Sequence, residues 1–197
     1  MKRIDFRKEM WMIAAILIAM WGVFLLDSVV PLDFNQWGLL PRTRSGLVGV
    51  FTSPFLHGSW GHLIGNTLPL AVLLSLLVLT RDDSVYIVIS IAIVSGLLLW
   101  LIGSNSVHIG ASMVIFGLAT FLMSAGFFER RIAAIGVGVL VFFLYGGTLM
   151  AGVLPTVGAQ VSWWGHLCGA VSGVAVAAAN QYLIFGPGET TTGNTDW

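Results

Sequence analysis

Residues 60–103 read WGHLIGNTLPLAVLLSLLVLT, then RDD, then SVYIVISIAIVSGLLLWLIG. These are two apolar runs of about 20 residues, the length a helix needs to cross the hydrocarbon core of a bilayer. Arg81, Asp82 and Asp83 part them. The same punctuation divides the rest of the chain. Six spans are predicted: Met10 to Asp27, Trp60 to Thr80, Ser84 to Gly103, Ala111 to Phe128 (closed by Glu129, Arg130 and Arg131), Ile132 to Met150, and Ser162 to Phe185. The predicted fold class is therefore all-α, a polytopic membrane protein with a six-transmembrane-helix bundle. Its domain organisation reads as an N-terminal cytoplasmic segment at 1–9, a six-span membrane domain at 10–185 and a polar cytoplasmic tail at 186–197.

Composition excludes the competing classes. Of 197 residues, 57% are hydrophobic and 9% charged, against roughly 25% charged in a soluble domain. So few charges cannot cover a soluble globule, and a disordered chain needs the opposite balance. A formal net charge of zero leaves no basic face for nucleic acid. Cys168 is the only cysteine, which allows no internal disulfide. Orientation follows from the Lys/Arg bias. With the N-terminus inside, Lys2, Arg3, Arg7, Lys8, Arg81, Arg130 and Arg131 fall on the inner side and only Arg42 and Arg44 on the outer. Both termini are then cytoplasmic, and the expected location is the cell (inner) membrane. Trp21, Gly22, Val23 and Phe24 stand where a signal peptide would carry a small-residue cleavage site, so the first span reads as a retained anchor.

Residues 28–59 form a long first loop rich in apolar side chains, among them Trp37, Leu39, Leu47, Val48, Val50 and Phe51, interspersed with Pro41, Gly46, Gly49 and Pro54. That mix suits a segment partly embedded in the membrane interface, or a loop packed on its own protein.

Polar groups inside the spans are costly, and no Asp, Glu, Lys or Arg stands in the middle of one. This weighs against a proton-coupled transporter or ion pump. His57, His62, His108 and His166 all map to the outer side, together with Asn66, Ser104, Asn105, Ser106, Ser112 and Ser162. Ser112 opens the fourth span. There it is either a plain helix cap or a nucleophile beside unpaired backbone N–H groups able to hold an oxyanion. Gly110 permits a close backbone approach just before it. His166 shares a face with Gly169 and Gly173, a small-residue stripe that brings another helix close. It reads as a general base or as a histidine bonded to a nearby carbonyl. His62 and Asn66, one turn apart, offer two side-chain N–H donors, for an oxyanion or for another helix. Together these supply nucleophile, base and oxyanion site at one depth.

In this combination the residues resemble the rhomboid family of intramembrane serine proteases. The resemblance rests on Gly110-Ala111-Ser112, on His62-Leu63-Ile64-Gly65-Asn66, and on His166 followed by Gly169 and Gly173. It covers residues 10–185, the rhomboid-like bundle with its partly membrane-embedded first loop. It implies a Ser–His dyad: Ser112 as nucleophile, His166 as base, and the Ser112 backbone N–H with His62 and Asn66 on the oxyanion. Phe116 matches the aromatic that packs on the catalytic histidine. His57 fits the family's loop pattern as a structural hydrogen-bonding residue. The implied reaction is hydrolysis of peptide bonds in or beside transmembrane segments of membrane proteins, in the bilayer, from a site open to the outer side, with no cofactor and no metal. Access is expected past the fifth span and the loop 151–161.

Two departures from the family pattern stand out. Met113 stands where glycine usually follows the serine, and Val48-Gly49 where many members carry Trp-Arg. A bulky residue at 113 predicts a narrowed site or an altered loop geometry, and the missing pair a less stable first loop. The competing readings are an inactive relative that binds or escorts membrane proteins, and a haem-binding bundle using His62 and His166. No His-Glu-x-x-His occurs for a zinc site. Cys168 lies about 200° around the helix from His166, which removes it as a partner nucleophile.

Overall fold

The computed structural model describes residues 6–155 and 162–185. The predicted tail at 186–197 and most of the loop after the fifth span lie outside them. Seven helices follow in order: α1 (Phe6–Val29), a short α2 (Gly46–Thr52), α3 (Trp60–Thr80), α4 (Ser84–Ile102), α5 (Ser112–Glu129), α6 (Ile132–Gly152) and α7 (Trp163–Phe185). There is no β-strand among the described residues. Helix ends match the predicted spans closely, except that α1 starts at Phe6, ahead of Met10. Charges bound the lipid-buried part of a helix, not the helix itself.

Among the described residues, five helices are long and apolar enough to cross a membrane: α1 from Glu9, α3, α4, α5 and α6. The chain is thus an integral, multi-pass membrane protein. α7 has the length of a sixth span at 23 residues. Its apolar content is diluted by glycines, His166, Asn180 and Gln181, because much of it faces α5 and α4 instead of lipid.

The bundle is built around α5, whose Val114, Leu118, Phe121, Leu122 and Ala125 are buried. Outward-facing residues of the other helices, such as Ile18, Leu68, Tyr86 and Phe143, are exposed and apolar, as a lipid-facing surface must be. In lipid, helices gain little from hiding apolar area and associate through close packing of small residues. Here α5 and α7 meet backbone to backbone. A Cβ on Gly169 would stand 2.1 Å from the Met113 carbonyl oxygen, and one on Gly173 2.0 Å from that of Gly117. Thr120 Oγ1 adds a hydrogen bond to the Ala170 carbonyl at 2.8 Å. Gly165, in step with those two glycines, faces Leu99 of α4 instead.

The first loop packs on the protein with one side and leaves apolar residues exposed on the other. One side of α2 packs on the protein: Gly46, Gly49 and Val50 are buried, and Val50 rests on Gly96 of α4. The other side presents Leu47, Val48 and Phe51, all exposed, outward. Without the Trp-Arg pair, the loop is held by other means. The Arg42 guanidinium donates to the carbonyls of Leu101 (3.2 Å) and Gly103 (2.8 Å) at the α4 C-terminus, where a cation also suits the helix dipole. Trp100 Nε1 donates to the Thr43 carbonyl at 2.8 Å. Leu39 pairs with His108 through two backbone bonds of 2.9 and 2.8 Å. Gly49 lies so near Leu39 that a Cβ there would come within 2.3 Å of its Cα.

The end of the bundle away from Ser112 is closed by polar contacts. Buried Arg81 pairs with Glu129 of α5 and with Asp83 at 2.9 Å, and Asn180 of α7 donates to Asp83 at 2.9 Å. Ser84 bonds to Glu9 of α1. Four helices are tied there, far from the serine end of α5.

Candidate active site

Gly110, Ala111 and Ser112 form the start of α5. Gly110 has φ +104°, a conformation glycine adopts freely, and its N–H donates to the Ser53 carbonyl at 2.8 Å. The cap residue, Ala111, supplies no side-chain hydrogen bond. The first-turn N–H groups beside Ser112 therefore keep their capacity for an external anion.

Gly110 also sets the distance to α3. A Cβ there would fall 2.4 Å from His62 Nε2 and 3.3 Å from Asn66 Nδ2. The backbone before Ser112 thus lies directly against both side-chain donors. Ser59 caps α3, accepting from the His62 N–H at 3.2 Å. Asn66 is buried, and its Nδ2 lies 3.0 Å from His57 Nε2. An amide NH2 can only donate, so His57 Nε2 accepts, and His57 Nδ1 donates to the Phe55 carbonyl at 3.4 Å. One Asn66 N–H is thereby engaged, fixing the amide plane and aiming the other. Burial, assisted by the nearby His62 ring, pushes the His57 pKa down to about 4, which keeps the accepting form at neutral pH.

His166 is buried in the first turn of α7. Its Nδ1 donates to the Gly152 carbonyl at 3.0 Å, and its ring stacks flat on Phe116, with centroids 4.0 Å apart and planes at 9°. With Nδ1 protonated, Nε2 carries the lone pair. The partner that orients the ring is a backbone carbonyl, not a carboxylate. No hydrogen bond joins Ser112 Oγ to this ring among the described residues; such bonds commonly tighten only when substrate arrives.

Ser112, His166, His62, Asn66 and Phe116 line one cavity of about 1050 Å³. Its walls come from α3, the loop before α5, α5, α6 and the start of α7. Pro69 lies in the α3 wall and removes the helical partner of the Gly65 carbonyl, which also lines the cavity. Gly169 and Gly173 are not in the cavity; they set the approach of α7 to α5 that delivers His166. Sequence reading passed over Tyr145 and Thr148 of α6 and gave no role to His108 or Ser162, all of which line the cavity. The signal for the first two was a polar pair three residues apart in an otherwise apolar span.

Met113 does not narrow the site. Its side chain is buried outside the cavity lining, clustered with Leu39, Val50, Leu99 and Cys168. Met113→Gly is accordingly expected to destabilise the protein by about 2–5 kcal/mol, as other buried truncations do, and to leave access to Ser112 unwidened. Thermal unfolding in detergent and probe labelling of the same preparation measure both.

A pH effect follows from His57. Its folded pKa lies below its unfolded one, so the unfolded chain takes the proton first. The stability this histidine contributes is complete above pH 6.5 and declines as pH falls from 6.5 towards 4. His57→Gln, which keeps an acceptor for Asn66, is expected to lessen the pH slope of stability in that window by about one proton. Unfolding midpoints between pH 7.5 and 4.5 read this.

Fold and site together define a multi-pass helical membrane protein in which Ser112, three histidines and Asn66 line one cavity. The chain matches the Rhomboid domain over residues 44–182, and it belongs to the rhomboid family. It is 41% identical over 174 residues to an uncharacterized protein of Mycobacterium tuberculosis and to one of Mycobacterium bovis, covering 84% of this chain and 70% of each relative. An uncharacterized protein of Mycobacterium leprae is 36% identical over 199 residues, covering 94% of this chain and 77% of the relative.

Proposed function

We propose that the chain is an intramembrane serine endopeptidase acting on transmembrane segments of membrane proteins. The observation that carries this is the convergence of Ser112, His166, His62 and Asn66 on one cavity, with His166 held as the Nδ1–H tautomer. Ser112 Oγ attacks the scissile carbonyl carbon and passes its proton to His166 Nε2. The resulting oxyanion receives hydrogen bonds from the Ser112 N–H, His62 and Asn66. Collapse breaks the C–N bond, and His166 returns the proton to the departing amine. Water, deprotonated by the same Nε2, then hydrolyses the acyl-enzyme. Phe116 and the Gly152 carbonyl keep the imidazole in place through both half-reactions.

Substrate reaches the site between α3 and α6. Both helices line the cavity, and α6 packs chiefly on α5, with only slight contact to α3 and α7. A substrate helix must unwind to expose a carbonyl, so small, helix-breaking residues are expected at the cleavage point. The Lys/Arg distribution puts both termini in the cytoplasm and the cavity mouth on the outer side of the cell membrane. Residues 10–185 act as one membrane domain in this reading. Met113, the departure beside the serine that favours an inactive escort, has its side chain outside the cavity lining.

The test is a membrane-anchored reporter with glycine-containing transmembrane segments, co-reconstituted in proteoliposomes. Cleavage within or beside the segment supports the proposal, and intact reporters across a panel of such segments contradict it. A disulfide engineered between α3 and α6 is expected to abolish cleavage reversibly, with recovery on reduction.

A further inference from the structure

His108 and Ser162 form a link that neither the dyad nor the oxyanion site uses. His108 sits in the loop before Ser112, and its backbone is locked to Leu39. Its buried ring lies 3.1 Å from the Ser104 carbonyl through Nε2 and 2.6 Å from Ser162 Oγ through Nδ1. A carbonyl only accepts, so Nε2 bears the proton and Nδ1 accepts the Ser162 hydroxyl. Burial holds the His108 pKa below its ordinary value, in keeping with this neutral tautomer. Ser162 Oγ in turn accepts the Gly165 N–H at 3.0 Å, and its carbonyl accepts the His166 N–H at 3.1 Å. Ser162 is therefore the cap of α7, bonded both to the turn that carries His166 and to the loop that carries Ser112.

Resting on the proposed dyad, we infer that His108 is a positioning residue: through Ser162 it fixes the first turn of α7 relative to the Ser112 loop, and so sets the register of His166 against Ser112. The two halves of the dyad come from residues 54 positions apart, on different helices. The α5–α7 glycine contacts fix the spacing of the helix axes near Met113 and Gly117, one turn and more below His166. They leave the terminal turn of α7 to its cap. The direction of every hydrogen bond in the chain is consistent: Gly165 N–H to Ser162 Oγ, Ser162 O–H to His108 Nδ1, His108 Nε2–H to the Ser104 carbonyl.

The experiment compares wild type with His108→Phe, Ser162→Ala, the double variant and Ser162→Thr, full-length and in the same detergent. It reads the rate of fluorophosphonate labelling of Ser112 and amide exchange over residues 163–166. Expected are labelling slowed about tenfold in each single variant, no further slowing in the double variant as one shared interaction requires, and recovery in Ser162→Thr, which restores the hydroxyl. Exchange at 163–166 rises in the same three variants. Undiminished labelling in Ser162→Ala or His108→Phe overturns the inference, even if exchange rises. So does multiplicative slowing in the double variant. An unlabelled wild type overturns the serine-protease reading and with it any positioning role, whereas a labelled wild type with fast variants overturns the link alone.

Discussion

Ser112→Ala and His166→Ala are each expected to lower reporter cleavage by at least about 10³-fold, with combined loss no greater than either alone. Groups that act as one unit fail together, and the residual activity reflects binding and oxyanion donors. Ser112 stands at the free N-terminus of α5, and His166 is held by the Gly152 carbonyl and by Phe116. Ser112→Ala should keep a thermal midpoint near wild type, whereas His166→Ala removes a buried ring and leaves the Gly152 carbonyl unpaired, so its midpoint is expected to fall and is read beside turnover. Asn66→Ala is expected to fall between, at about 10²–10³-fold in turnover, the cost of one oxyanion donor. Turnover of the reporter in proteoliposomes, at saturating surface density, measures all three. Comparable losses with intact folding would place the chemistry on these atoms; full activity in either dyad variant would remove it from them.

The second large effect concerns stability. Gly169→Val and Gly173→Val are expected to destabilise the bundle by more than about 3 kcal/mol, at the upper end of overpacking effects. The atoms that a Cβ would meet, at 2.1 and 2.0 Å, are backbone carbonyl oxygens of α5. Helical backbone cannot rotate aside as a flexible side chain can, so α7 would have to move off α5. That movement carries His166 away from Ser112, and cleavage falls together with stability. Gly136→Ala in α6 is the control. Nothing lies within 4 Å of a Cβ there, and alanine is the better helix former by roughly 0.5–1 kcal/mol. Unfolding in mixed detergent separates the three variants, and equal midpoints would show that the α5–α7 contact does not limit stability.

Much of this was legible in the sequence because lipid imposes a simple rule. A span must be long and apolar, so Arg81 to Asp83 and Glu129 to Arg131 mark where helices reach water. The six predicted spans match helices within a few residues for that reason. Site residues were legible for the complementary reason: a serine, histidine or asparagine in such a background is costly unless it has a partner. What a single chain could not reveal were contacts between segments far apart. Met113 read as an obstruction, because residue type at one position does not say which side of α5 it faces; the structure turns it into the Leu39 and Cys168 cluster. The missing Trp-Arg pair read as a weak loop, because the bonds that replace it join Arg42 to α4 and Leu39 to His108 across about 60 residues. His108 and Ser162 were grouped with the other polar residues without a role, since their partnership exists only once α7 has packed.

The most direct test of the central claim is to treat the full-length protein in mild detergent with a fluorophosphonate probe and map the adduct by peptide mass. The account predicts a single adduct on Ser112, lost in both Ser112→Ala and His166→Ala. Absence of an adduct in wild-type protein that unfolds cooperatively would contradict an activated serine and leave the chain a rhomboid-family protein without hydrolase chemistry.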